Sequence, residues 1–446
     1  MAFAADKDRV CFFHGIGTGK SLCALYTHLI WETKRILIIC PNSVIQTTWK
    51  NQIEEHTNAT YTLLQGTREN RKNLLKNNSQ FFVVNYEGLL PLFKSNNPEQ
   101  VFDWSLIEKA GFDGLIIDES QFTKNYETKH TQICAAISEF SDKAIIMTGT
   151  PTLYDFRELW SQYYVLDKGK TLGNSWWGFL HKYFIKFVIK LKKPPRNIPN
   201  WRPKRGSEDE VLNRLRQNTI RVNREDCIDL PEIVYQQIEV EMTKDQKDIT
   251  KKLIDDINIE GVDLGNVLNK AEKLRQVAGG FLYDDKKNST FLKENKTKEI
   301  VGVLNQITTK AIIFHHYTAE GELLEKMCNK YKIKYASMRG DTKDKQKQHA
   351  NFISDPTIKV LIAHPATAGT GVDGFQDVCQ TVMFYCNETH LTRDQCIGRI
   401  YRNKQENKCL IIDIICKGSV DELKIEKIGE DKTRAENMLD YIQNFK

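Results

Sequence analysis

The stretch Gly15-Ile16-Gly17-Thr18-Gly19-Lys20-Ser21 constrains this chain more than any other. An apolar run, Val10-Cys11-Phe12-Phe13, precedes it, and Leu22-Cys23-Ala24-Leu25-Tyr26 follows as the first turns of a helix. Strand, glycine turn, Lys-Ser and helix, in that order, form the context of a phosphate-binding loop. Glycines let successive backbone N–H groups converge on an anion, and the helix N-terminus adds partial positive charge at the same place. On this reading Gly15, Gly17, Thr18 and Gly19 cradle the phosphates of a nucleotide, Lys20 reaches the β- and γ-phosphates, and the Ser21 hydroxyl ligates Mg2+. The strict pattern asks for glycine at 14, where this chain has His14. The rival reading is a glycine turn that happens to carry a lysine.

What surrounds the loop favours the first reading. Arg35-Ile36-Leu37-Ile38-Ile39-Cys40 is a continuous apolar run, as in a strand buried on both faces of a parallel sheet. Phe81–Asn85, then Leu115-Ile116-Ile117 running into Asp118-Glu119, and Ala144–Met147 running into Thr148-Gly149-Thr150-Pro151, read as further strands. Strands alternating with helical segments predict a doubly wound α/β lobe, with polar residues at the strand ends where such sheets bind ligands. From 152 to 295 the pattern changes to helix and loop. The α/β rhythm returns at 311–314, 360–363, 381–385 and 410–412. The expected division is a first lobe at 1–165, a basic helical and loop insertion at 166–228, a helical linker at 229–295, a second α/β lobe at 296–430 and a tail helix at 431–446.

Charge is concentrated rather than spread. The chain has a net charge of +6, yet 168–207 contains no Asp or Glu and many Lys and Arg; without it the remainder would be net acidic. Lys182, Lys186, Lys190, Lys192, Lys193, Arg196 and Arg202 lie there among Trp176, Trp177, Tyr183, Phe184, Phe187 and Trp201. Such a strip can neutralise nucleic-acid phosphates without reading sequence. Its aromatics would stack on bases if the strand were single; the plainer alternative is that they pack the insertion against the lobe. Eleven cysteines without a C-x-x-C pair point to neither a disulfide framework nor a zinc site, and favour a reducing compartment. No apolar run reaches the length of a membrane span and no secretory signal is evident, so a cytoplasmic or nucleoid-associated location is expected.

Two further constellations carry chemistry. A carboxylate at Asp118 can hold Mg2+ opposite Lys20, and Glu119 is placed to orient and deprotonate the water that attacks a γ-phosphate. Gln395, Arg399 and Arg402 are spaced i, i+4, i+7, which predicts one shared helix face, and guanidinium groups suit a transferring phosphate.

Taken together, these segments resemble helicase superfamily two, in its SWI/SNF-type chromatin-remodelling and DNA-translocase branch. The matches, in order, are the loop at 15–21; Cys40-Pro41 with Trp49; Val84-Asn85-Tyr86-Glu87; Asp118-Glu119; Thr148-Gly149-Thr150-Pro151; and Gln395 to Arg402. Leu230-Pro231, Lys273-Leu274-Arg275-Gln276, Arg339-Gly340-Asp341 and Lys417-Gly418-Ser419-Val420-Asp421-Glu422 add weaker, branch-specific ones. The resemblance implies two RecA-like lobes with ATP and Mg2+ in the cleft. Lys20, Ser21, Asp118 and Glu119 would be the ATPase groups, Arg399 and Arg402 the arginine fingers, and Gln395 a nucleotide contact beside them. Thr148, Gly149 and the turn Gly369-Thr370-Gly371 would couple nucleotide state to DNA contact. One departure is that the family's glutamine-bearing segment upstream of the loop has no counterpart in residues 1–14.

The expected activity is that of a monomeric, nucleic-acid-stimulated ATPase that moves along duplex DNA, in a host cytoplasm if the chain is viral. Two rivals stand beside it: a helicase that separates strands, whose splitting hairpin the sequence does not reveal, and a nucleotide-gated protein-binding switch.

Overall fold

The computed structural model describes every residue except 1, 98–99, 101, 152–154, 193–194, 225–226, 228, 261–263, 369–373, 387–388 and 444–446. For 189–192, 195–199, 256–260, 264–268 and 434–443 it describes the backbone alone. The chain divides into two units: Met1–Phe187, Asn200–Ile228 and Thr433–Lys446 in one, Val188–Pro199 and Asp229–Lys432 in the other.

In the first unit the apolar runs form β1 (Arg9–His14), β2 (Ile36–Cys40), β3 (Tyr61–Leu63), β4 (Phe81–Asn85), β5 (Gly114–Asp118) and β6 (Lys143–Met147). A two-stranded ribbon of β7 (Phe184–Lys192) and β8 (Pro195–Pro203), whose Val188–Pro199 part belongs to the second unit, precedes β9 (Thr219–Val222) of the first. The sheet order is β3-β4-β2-β5-β6-β1-β9, parallel at every pairing. Alternate residues of β2 enter opposite cores: Leu37 and Ile39 pack on one face, Ile36, Ile38 and Cys40 on the other. Burial of each such Leu or Ile contributes about 1.5–3 kcal/mol, which is why a strand here can be apolar throughout.

The second unit contains β10 (Ile233–Glu241), the small antiparallel pair β11 (Phe281–Tyr283) and β12 (Ser289–Phe291), then β13 (Lys310–Phe314), β14 (Tyr335–Met338), β15 (Val360–Ala363), β16 (Cys379–Phe384) and β17 (Cys409–Lys417). Its main sheet runs β10-β17-β16-β13-β15-β14, again all parallel. Two parallel, doubly wound α/β lobes are therefore present, as expected.

The segments between them differ in detail from the sequence reading. The stretch expected as helix and loop holds the β7–β8 ribbon. β9, inside 166–228, is a member of the first sheet, and β10, inside 229–295, pairs with β17 over nine residues of the second. The helix Val420–Gln443 runs unbroken through the expected boundary at 430.

Two buried ion pairs lie in the second unit. Lys296 Nζ donates to Asp421 Oδ2 at 2.7 Å and to the Tyr385 carbonyl at 2.9 Å. Arg393 donates to both Asp413 oxygens, with Nη2 at 2.7 Å from Oδ2, and its guanidinium lies 4.3 Å from the Phe384 ring centroid. Arg393→Ala strands the Asp413 carboxylate in the core, and a loss of about 3–5 kcal/mol is expected in urea unfolding of the chain. A loss below about 1 kcal/mol would show that the pair does not hold this unit together.

Candidate functional site

Parallel strands deliver their C-terminal ends to one edge of a sheet. In the first unit that edge carries His14 from β1, Asp118 from β5, Thr148 after β6 and Asn223 after β9. Gly17 and Gly19 adopt φ of 82° and 81°, a region that favours glycine and that closes the loop. Thr18 Oγ1 donates to the Gly15 carbonyl at 2.8 Å. The helix Lys20–Ile30 starts directly after Gly19 and no side chain caps it, so the cap leaves its first N–H groups without a side-chain acceptor, as an anion site requires.

Lys20 is folded back over this loop. Its Nζ donates to the His14 carbonyl at 2.9 Å and to the Gly15 carbonyl at 3.1 Å. Burial lowers its pKa, and the nearby Glu119 and Asp118 carboxylates oppose that shift. From the β6 side, Thr148 N donates to the Phe12 carbonyl at 3.1 Å. A Cβ on Gly149 would stand 3.5 Å from the His14 oxygen and 3.7 Å from Lys20 Nζ, so this segment touches the loop. From the β9 side, Gly15 N donates to the Val222 carbonyl at 2.9 Å and Arg224 Nε to the Ile16 carbonyl at 2.8 Å. His14 is buried on Phe12, with ring centroids 5.0 Å apart. Burial and the Lys20 charge push its pKa down to about 4, so position 14 adds no positive charge at neutral pH.

At the end of β5, Asp118 is buried and its Oδ2 accepts the Trp49 indole N–H at 3.0 Å. Burial and the Glu119 charge push the Asp118 carboxyl up to about 7, against the pull of Lys20. The Tyr86 hydroxyl donates to the Asp118 carbonyl at 2.7 Å. Glu119 has φ 52° and ψ 57°, a left-handed backbone that costs a non-glycine residue about 1–3 kcal/mol and that gathers at functional sites. Gln121 Nε2 donates to Glu119 Oε2 at 2.8 Å. Ser120 Oγ donates to Gln162 Oε1 at 2.8 Å, and Gln162 Nε2 to the Pro151 carbonyl at 2.6 Å, which ties the Asp-Glu turn to the Thr148–Pro151 segment.

The structure thus brings together Lys20, Asp118, Glu119, Thr148 and Gly149. Ser21 follows Lys20 on the first turn of the helix, half-buried. Arg224 and Gln121 belong to the same neighbourhood, and no local sequence signal marks Arg224, some two hundred residues from the loop.

In the second unit one expectation is corrected. Gln395 lies on the helix His390–Ile397, but Gly398 caps that helix and Arg399 and Arg402 stand on the turns beyond it. Glycine is a poor helix former, and the N–H groups of Arg399 and Ile400 bond three residues back, to Cys396 and Ile397 at 3.2 and 3.1 Å. The three residues therefore do not share one helix face. Gly369, Thr370 and Gly371 lie outside the described residues.

In the basic strip, Lys182 pairs with Glu210 at 3.1 Å, and Lys186 and Arg202 are exposed. Lys193 lies outside the described residues, as do the side chains of Lys190, Lys192 and Arg196. Tyr183 and Phe184 are buried in the first unit's core and Trp176 and Trp201 pack against it, so these aromatics serve packing rather than base stacking. Trp177 and Phe187 remain exposed.

Comparison with known proteins fits this geometry. The family model of the SNF2-related domain matches residues 12–289, and that of the helicase conserved C-terminal domain matches 293–404. The chain belongs to the SNF2-related family. Like that family, this SNF2-related chain is an ATPase of the helicase and translocase type. It is 25% identical over 452 aligned residues to protein p41 of Acyrthosiphon pisum secondary endosymbiont phage 1, covering 95% of this chain and 92% of that one. It is 22% identical to the Homo sapiens DNA annealing helicase and endonuclease ZRANB3, over 95% of this chain but 38% of that protein. A Drosophila melanogaster SWI/SNF-related, matrix-associated, actin-dependent regulator of chromatin, subfamily A-like protein 1, is also 22% identical, over 90% of this chain and 53% of its own length. Among solved structures, the SWI2/SNF2 ATPase core of Sulfolobus solfataricus in complex with dsDNA superposes with a TM-score of 0.43 at 18% identity, covering 99% of this chain and 94% of that one.

Proposed function

We propose that this SNF2-family ATPase is a motor that tracks along double-stranded DNA without reading its sequence. The observation that carries the ATPase chemistry is the meeting of Lys20 with Asp118 and Glu119 at one sheet edge. Lys20 leaves the His14 and Gly15 carbonyls for the β- and γ-phosphates of ATP. Glu119 orients and deprotonates the attacking water. Asp118 and the Ser21 hydroxyl form a hard-oxygen donor set of the kind that suits Mg2+, which takes few protein ligands beside phosphate and water; when bound, Mg2+ neutralises phosphate charge. Arg399 and Arg402 supply guanidinium charge to the transferring phosphate, with Gln395 beside them, while Thr148, Gly149 and the residues Gly369, Thr370 and Gly371 link turnover to DNA contact.

The choice of DNA is supported by the human relative, a DNA annealing helicase and endonuclease, and by the basic strip. Lys182, Lys186, Lys190, Lys192, Lys193, Arg196 and Arg202 would meet backbone phosphates. The chain spans only 38% and 53% of those relatives, so their whole-protein activities are not carried over. A monomeric motor working in a cytoplasm or nucleoid, or in a host cytoplasm if the chain is viral, follows from the same reading. Among the described residues no helix is long and apolar enough to cross a membrane.

ATPase rate measured side by side with duplex DNA, single-stranded DNA and RNA tests the proposal. Duplex DNA should stimulate most; no stimulation by any of the three would instead favour a protein-binding switch. Lys186→Ala with Arg202→Ala should weaken duplex binding evenly across sequences and reduce the salt slope of log affinity by about two. An unchanged slope would remove the strip from the interface.

One observation favours a second reading, strand separation. The β7–β8 ribbon exposes Ile185, Phe187 and Val188, apolar side chains that could wedge a duplex. Strand displacement measured beside triplex displacement separates the two: a translocase performs only the second.

A further inference from the structure

Trp49 is fully buried, yet packing alone does not explain why it is tryptophan. It sits on a wide π-helical turn, Ile45–Lys50, a rare conformation found often at functional sites, which continues into the helix Asn51–His56. Its ring shares an apolar core with Cys40, Ile45, Ile53 and Met147. An indole N–H in such surroundings needs an acceptor. The acceptor it finds is Asp118 Oδ2, 69 positions away in sequence and 3.0 Å away in space.

The Asp118 backbone is fixed independently of this bond. β5 is paired on both sides, by β2 and β6, and the Tyr86 hydroxyl holds the Asp118 carbonyl. What the sheet cannot fix is the rotation of the carboxylate about its own side-chain bonds. The Trp49 indole does that, by donating to Oδ2. The indole comes from another element of the fold, and a side-chain substitution removes it.

We propose that Trp49 is a positioning residue that holds one oxygen of Asp118, so that the carboxylate is already turned for a divalent cation when a triphosphate arrives. This rests on the ATPase site described above and adds to it a residue that never touches the nucleotide. Groups that orient a metal ligand from behind commonly matter nearly as much as the ligand itself.

Protein labelled with 5-fluorotryptophan provides the test. The chain has seven tryptophans, and the Trp49 resonance is identified by Trp→Phe changes at the other six. That resonance should move when Mg·ADP is added and stay still with ADP and EDTA. Trp49→Phe should raise the Mg2+ concentration for half-maximal ATP turnover by about 10–100-fold, while KM for ATP at saturating Mg2+ changes by less than about twofold. A Trp49 resonance unmoved in protein that binds Mg·ADP, or a W49F enzyme with the wild-type Mg2+ requirement, overturns the proposal. If W49F does not fold, the spectrum of the wild-type sequence decides alone. A wild-type protein that binds no nucleotide would refute the ATPase site itself, and direct nucleotide binding reveals that before any fluorine spectrum is taken.

Discussion

Glu119→Gln should stop ATP turnover and leave ATP binding intact. The substitution keeps the shape of the side chain and its hydrogen-bond reach toward Gln121, but an amide cannot take a proton from water at neutral pH. Removing a general base in this way costs about 10^2–10^4-fold in rate. Binding should survive because the groups assigned to grip phosphate are the loop backbone and Lys20, which the change does not touch. The left-handed backbone at 119 is no harder for glutamine than for glutamate, so the fold should not pay for it. Phosphate release and equilibrium binding of a fluorescent ATP analogue, measured on the same preparation, check both halves. Turnover within a few-fold of the unaltered protein would remove Glu119 from the mechanism.

Lys20→Ala should fail at both steps. The ammonium is a positive charge beside Asp118 that opposes burial and the Glu119 charge there. Without it the two carboxylates lose that opposing charge as a polyanion arrives, and Arg224, engaged with the Ile16 carbonyl, is the cation left beside the loop. Loss of one preorganised charge at developing phosphate charge costs about 10^2–10^3-fold in turnover, and here binding should weaken as well. The contrast with Glu119→Gln is the informative part: the two variants share a dead ATPase but differ in nucleotide affinity. Equal affinities in the two would show that Lys20 stays on the His14 and Gly15 carbonyls in the loaded state, and the assignment would fall.

The parts of the molecule legible in sequence are those whose signal is local. β2 and β5 are continuous apolar runs because both faces of a parallel sheet are covered, and their polar ends mark the ligand edge. β9 is Thr-Ile-Arg-Val, too short and too polar to announce itself. β10 alternates with glutamine and glutamate and lies largely exposed at a sheet edge. β8 starts and ends on proline, at Pro195 and Pro203, which reads as loop; a two-stranded ribbon tolerates it because both of its strands are edges. The arginine spacing pointed to a helix, and Gly398 within it was the residue that ended one. Arg224, and the bond that Trp49 makes, were out of reach for a different reason. Their contacts join elements far apart in the chain, and only the folded sheet puts them beside Asp118 and the loop.

The place of β9 has a consequence for synthesis. The ribosome releases β1 and the phosphate loop first, and the strand that flanks β1 on its outer side emerges some two hundred residues later. At about 5–20 residues per second, the nascent first sheet spends roughly 10–40 s with the amides and carbonyls of β1 uncovered along that side. During that interval the strand that leads into the phosphate loop is also an open template for pairing with another chain.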